Sequence, residues 1–189
     1  MNKLVQLVLL AFLLTVNASS TLHAQEGWHV IKSSDGAIEA LLPGSPKIES
    51  EKRKTLAGTL TTKILKFHSD DVEFSISSTR LSKLIRKFAK DERLYKNARE
   101  GVLSRSFGKP ISFEKIEIDQ VPARELHYEV VDFDDETHNG YHGVAVILVL
   151  DGTVYTANAI MAKDAGRADL KKFRESIKIK KEQAEPKPE

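Results

Sequence analysis

The 189-residue chain contains no cysteine. That excludes disulfides, thiolate metal sites, thiol nucleophiles and a lipid joined through cysteine, so burial and hydrogen bonding alone must hold the fold. Charge of one sign is also missing: 29 Lys and Arg face 27 Asp and Glu, interspersed along most of the chain, and no basic footprint for nucleic acid stands out. Beyond the first 24 residues no apolar run is long enough to span a bilayer. Nor is there a Gly-x-Ser-x-Gly elbow, a Gly-x-Gly-x-x-Gly or Walker loop, or a His-Glu-x-x-His helix. With 41% apolar and 30% charged residues, the composition is that of one globular domain with a sizeable core.

The opening segment sets the expected compartment. Lys3 precedes a run from Leu4 to Val16 interrupted only by Gln6 and Thr15, and no acid occurs before Glu26. This is the pattern of a signal peptide over residues 1–24, with a cut after Ala24 and an alternative after Ala18. The run is shorter than the roughly 20 residues a membrane anchor requires. The expected organisation is a signal peptide (1–24), a single domain (25–180) and a polar, disordered tail (181–189) of an exported, periplasmic or secreted protein.

Within the domain the period-two signal dominates. Residues 28–32 and 37–42 read as a hairpin around Asp35-Gly36, and two prolines close to Gly44 mark a loop. Residues 47–54 and 59–67 form a second pair, and Val72, Phe74 and Ile76 alternate with polar neighbours. The period then lengthens: Leu94, Ala98 and Val102 recur at four-residue steps, with Asp91 and Glu92 at the expected helix start and Gly108 and Pro110 at its end. Leu84, Ile85 and Phe88 suggest a short preceding helical turn.

Ile111 and Phe113 differ in parity from Ile116 and Ile118, which predicts a bulge between them. Arg124, Leu126 and Tyr128 share one face of the next strand, and Glu125, His127 and Glu129 the other. Residues 141–150 are apolar at both parities, as for a strand covered on both faces, and Asp151-Gly152 turns them into residues 154–161. Leu170, Phe173 and Ile177 stripe a last helix, with Asp164 as its cap. The fold class is α+β: a mainly antiparallel, twisted β-sheet of seven to nine strands packed with two α-helices.

Several short strings resemble small exported bacterial proteins of unknown function with the Mog1/PsbP-like fold. They are Pro43-Gly44-Ser45-Pro46, Asn97-Ala98-Arg99-Glu100-Gly101, Pro122-Ala123-Arg124-Glu125-Leu126, the hairpin carrying Tyr155, and Phe173-Arg174-Glu175-Ser176-Ile177. The resemblance runs over residues 28–180. It implies an antiparallel sheet between helices and relatives that serve as protein-binding or assembly modules, among them a Ran-binding nuclear protein and a photosystem subunit of the thylakoid lumen. It carries over no site residue.

Candidate sites come from residue chemistry. The acids Asp132, Asp134, Asp135 and Glu136 invite a calcium reading, but Thr137 stands where a calcium loop needs glycine, and a solvated turn is the alternative. His127, His138 and His142 can supply nitrogen ligands to zinc or copper only if a hairpin brings His127 across to the other two; polar surface histidines are the alternative. Arg124 is either an anion anchor or one half of a buried ion pair. Trp28 and Tyr155 are candidate ligand-stacking residues, with core closure as the plainer use.

The expected function is a non-enzymatic, protein-binding or assembly module of the cell envelope, without a cofactor and with another envelope protein as partner. The alternative is a small-ligand or metal carrier with Trp28, Tyr95, Phe107 and Tyr155 around a space between sheet and main helix.

Overall fold

A computed structural model describes residues 27–55, 58–69, 71–130, 140–163 and 167–180. The expected signal peptide, the acidic loop with His138, the expected Asp164 cap and the expected tail all lie outside the described residues. Among the described residues, ten strands and three helices follow in the order β1 (His29–Lys32), β2 (Ile38–Leu42), β3 (Lys47–Thr55), β4 (Gly58–Ser69), β5 (Val72–Arg80), α1 (Lys83–Phe88), α2 (Asp91–Ser106), β6 (Gly108–Ile118), β7 (Val121–Val130), β8 (Tyr141–Leu150), β9 (Thr153–Ala162), α3 (Arg167–Ser176) and β10 (Lys178–Ile179).

Seven strands form one antiparallel sheet in the order β3-β4-β5-β9-β8-β7-β6. β1, β2 and β10 form a separate antiparallel sheet. The fold is therefore α+β and antiparallel as expected, but with two sheets rather than one. The second depends on β10, two residues that reach back to pair with Ile38 and Glu39, a contact no local pattern announces.

Alternation explains the layers. Phe74, Ile76, Val146, Leu148, Ala157 and Ala159 point to one face of the large sheet and pack with Ile38, Ala40 and Leu42 of the small sheet and Phe173 of α3. Leu126, Tyr128 and Ala145 point to the other face, beneath Val102 and Leu103 of α2. β8 is apolar at both parities because it serves both cores, and it lies beside β9, the middle strand.

The β6 bulge is displaced from its expected place. The register shifts between Pro110 and Ser112, so Ile111 is the extra residue. The parity change further on has another cause: Phe113 packs beneath α2, whereas Ile116 and Ile118 join the opposite core. One regular strand fills both layers.

Candidate functional site

Arg124 lies on the α2 side of β7. Its Nη2 donates to Glu92 Oε2 at 2.7 Å and its Nη1 to the Ala123 carbonyl at 3.1 Å, while the guanidinium stacks 4.6 Å from the centroid of Tyr95. Tyr95 in turn donates to the Pro122 carbonyl at 2.8 Å. This arrangement fastens the start of α2 to the sheet, and every contact of the guanidinium named here is internal.

Tyr155 lies on the opposite face. Its hydroxyl donates to Asp35 Oδ2 at 2.6 Å, and Asp35 Oδ1 accepts from Ser33 Oγ at 2.7 Å and from the Ala37 amide at 3.2 Å. The β1–β2 turn is thereby tied to the large sheet. Burial alone pushes Asp35 upward, but the hydrogen bonds from Tyr155, Ser33 and the backbone overcome it and hold the carboxyl below its ordinary value of 3.8. Burial and the bond to Asp35 together push the Tyr155 phenol up.

The signs give a prediction. A depressed carboxyl contributes stability that is present above its unfolded pKa and lost as pH falls through the folded value; a raised phenol contributes stability present below about 10 and lost as pH rises through its folded value. Tyr155→Phe is expected to flatten the pH dependence of stability on both the acid and the alkaline side. Urea midpoints across the pH range check this, and an unchanged acid limb would show that Asp35 is held by other groups.

On the same face of β7, Glu125 accepts from Arg174 Nε of α3 at 2.7 Å through Oε2, and its Oε1 lies 2.9 Å from His127 Nε2. Burial would raise the Glu125 carboxyl, yet Arg174 and His127 hold it below the usual range. His142 brings its ring to 5.7 Å, centroid to centroid, from that of His127; burial and the neighbouring His127 hold its pKa down. The structure thus brings two of the three expected histidines together, with His138 outside the described residues. Among the described residues no three His, Asp or Glu side chains form a metal-ligand set.

Trp28 packs edge-on against Phe74 at 5.5 Å, and Lys172 Nζ stands 4.4 Å from its ring centroid. Nearby, Leu41 and the α3 residues Ala168, Lys171 and Glu175 border a shallow depression. The four aromatic residues expected around one ligand space do not converge. Trp28 and Tyr155 belong to the small-sheet side, Tyr95 is hydrogen-bonded beneath α2, and Phe107 faces solvent.

Phe107 was expected as a pocket wall; what residue chemistry missed is its exposed place at the helix end. It caps α2 in the left-handed conformation (φ 50°, ψ 35°), a position glycine ordinarily takes because a Cβ is strained there. The neighbouring glycine cannot exchange places with it: a Cβ on Gly108 would come within 2.6 Å of the Tyr128 ring. Phe107 is 71% exposed and Ile111, at the bulge of edge strand β6, is 57% exposed. A phenylalanine immediately before a helix-ending glycine is the signal available in the sequence.

Comparison with known proteins adds the fold. No family model and no curated protein matches the chain. Among solved structures, it is similar to cyanobacterial PsbP (CyanoP) from Synechocystis sp. PCC 6803, with a TM-score of 0.54 and 13% identity over 87% of this chain and 99% of that one. A protein of unknown function, PA94 from Pseudomonas aeruginosa, matches with a TM-score of 0.42 and 12% identity over 75% of this chain and 99% of that one. The chain has the Mog1/PsbP-like fold. At such identity the likeness extends to the fold alone.

Proposed function

We propose, from a fold shared with CyanoP and from the exposed side chain of Phe107, that this chain is an exported, non-enzymatic module that binds another protein of the cell envelope. The leader-like residues 1–24 support export. The carrying observation is Phe107: an aromatic side chain held in solvent at a backbone conformation that disfavours it, with exposed Ile111 four residues further on in β6, an edge strand among the described residues. A residue that costs stability and covers no core serves something outside the molecule. The bulge at Ile111 distorts the edge there, which blunts indiscriminate strand addition and leaves side-chain contacts to carry recognition.

Phe107→Gly separates the two roles. Relief of left-handed strain is expected to raise stability by about 1 kcal/mol, since the native backbone already suits glycine. Partner capture is expected to fall. A photo-crosslinking amino acid placed at Phe107 in the producing cells should yield one reproducible protein adduct that a probe at exposed Lys47 does not. Random or absent adducts would sink the reading.

A further inference from the structure

Positive charge collects at one end of the large sheet although the whole chain carries only +2. The register sets Lys52 opposite Thr61, and Thr61 opposite Arg80. The far end of β3, with Arg53 and Lys54, therefore lies at the end of the sheet from which β5 leads into α1. α1 adds Lys83, Arg86 and Lys87, and Lys90 follows it. The acids of this end are Glu51, Asp91, Glu92, Asp151 and, at the far β6–β7 side, Glu117 and Asp119, with Glu92 held by Arg124 and Asp119 accepting from the Ile179 amide.

α1 is the unusual element. Six residues are too few for a helix to persist unaided, and none of these six is fully buried. The fold holds it from outside: Ser82 Oγ accepts from the Ile85 amide at 3.3 Å, the Leu81 amide donates to the Gly152 carbonyl at 2.9 Å, and the Arg86 stem crosses Gly152 where no Cβ would fit. What this scaffold displays is Leu84, 54% exposed, and Phe88, 71% exposed, between cations; Lys87 Nζ stands 5.5 Å from the Phe88 centroid.

We propose that this end of the molecule docks on an anionic phospholipid surface. Leu84 and Phe88 enter the boundary between headgroups and acyl chains, while the Lys and Arg side chains extend to the lipid phosphates, the division of labour of an interfacial anchor. An aliphatic side chain paired with a single aromatic suits an acyl boundary; a nucleic-acid strand calls for several stacking platforms along a groove. The surface is separate from Phe107, so either proposal can fail alone.

The test uses the protein as the producing cell processes it, with intact mass showing the same N-terminus in every sample. It is mixed with phosphatidylcholine vesicles with and without about 30% phosphatidylglycerol, at low and high salt. Co-sedimentation only with the anionic vesicles, weakened by salt, is expected. Leu84→Ser combined with Phe88→Ser should weaken binding at least about ten-fold with unchanged circular dichroism, a loss in keeping with removing two buried apolar side chains; Phe107→Ser should bind as the parent does. No anionic-vesicle binding, undiminished binding by the double variant, or displacement from vesicles by an oligonucleotide would overturn the proposal.

Discussion

Gly143→Ala is expected to lower stability by about 3 kcal/mol, and Gly143→Val to abolish folding, in urea denaturation followed by circular dichroism. Gly143 lies directly opposite Tyr128 in the β7–β8 ladder. The Tyr128 ring lies against the glycine, so that a Cβ there would come within 2.1 Å of its Cζ. The tyrosine cannot yield cheaply. It is wholly buried, its hydroxyl donates to Asn158 Oδ1 at 2.7 Å, and Gly108 confines the ring from the other side. Burial has also pushed its phenol up to about 12, so the hydroxyl remains a donor throughout the physiological range. A double-mutant cycle distinguishes this contact from the ordinary loss of backbone freedom: in a Tyr128→Leu background the cost of Gly143→Ala should shrink markedly. Equal cost in both backgrounds would show that the ring is not the obstacle.

That contact also marks the limit of what residue order conveys. Strand alternation, the Asp-Gly turns and the α2 stripe are local, and each appears where the sequence implies it. Asp151-Gly152, for example, takes positive φ at both residues, as a tight hairpin requires. Gly143 reads as a flaw in an otherwise apolar strand, because the ring that needs the space belongs to another strand. Ile116 and Ile118 misled in a related way. A change of parity has the same appearance whether a strand bulges or both its faces are covered, and only the layer above β6 decides between them.

The candidate sites were legible by residue type, and Arg124 also as one half of an ion pair, but the partners were not. Arg124 and Tyr155 are each joined to a carboxylate far away in sequence, Glu92 and Asp35, and these bonds fasten helix and turn to the sheet. His127 and His142 are diagonal neighbours across β7 and β8, a proximity that strand register alone determines. The basic end of the sheet was hidden for the same reason. Lys52, Arg53 and Lys54 are separated in sequence from Lys83, Arg86 and Lys87, and interspersed acids made the linear charge pattern look even.

Phe173→Ala is expected to cost about 3–5 kcal/mol, while Arg174→Ala, its neighbour on α3, costs about 1 kcal/mol or less. Both residues join α3 to the large sheet, so the comparison asks which kind of contact holds it. Phe173 is almost wholly buried, 5.1 Å from Phe74 between ring centroids, and sits within the core formed by both sheets. Its removal leaves a cavity that Ile38, Leu42 and Ile177 cannot fill without moving backbone. Arg174 makes a 2.7 Å ion pair with Glu125, but its side chain is 40% exposed, and solvent competes for the charge. His127 continues to partner the carboxylate after Arg174 is gone. If burial dominates, hydrogen exchange of the α3 amides should accelerate strongly in the phenylalanine variant and little in the arginine variant. The reverse order would make the ion pair the clamp. α3 attachment would then weaken as pH falls through the depressed pKa of Glu125, because protonation removes the charge that Arg174 recognises.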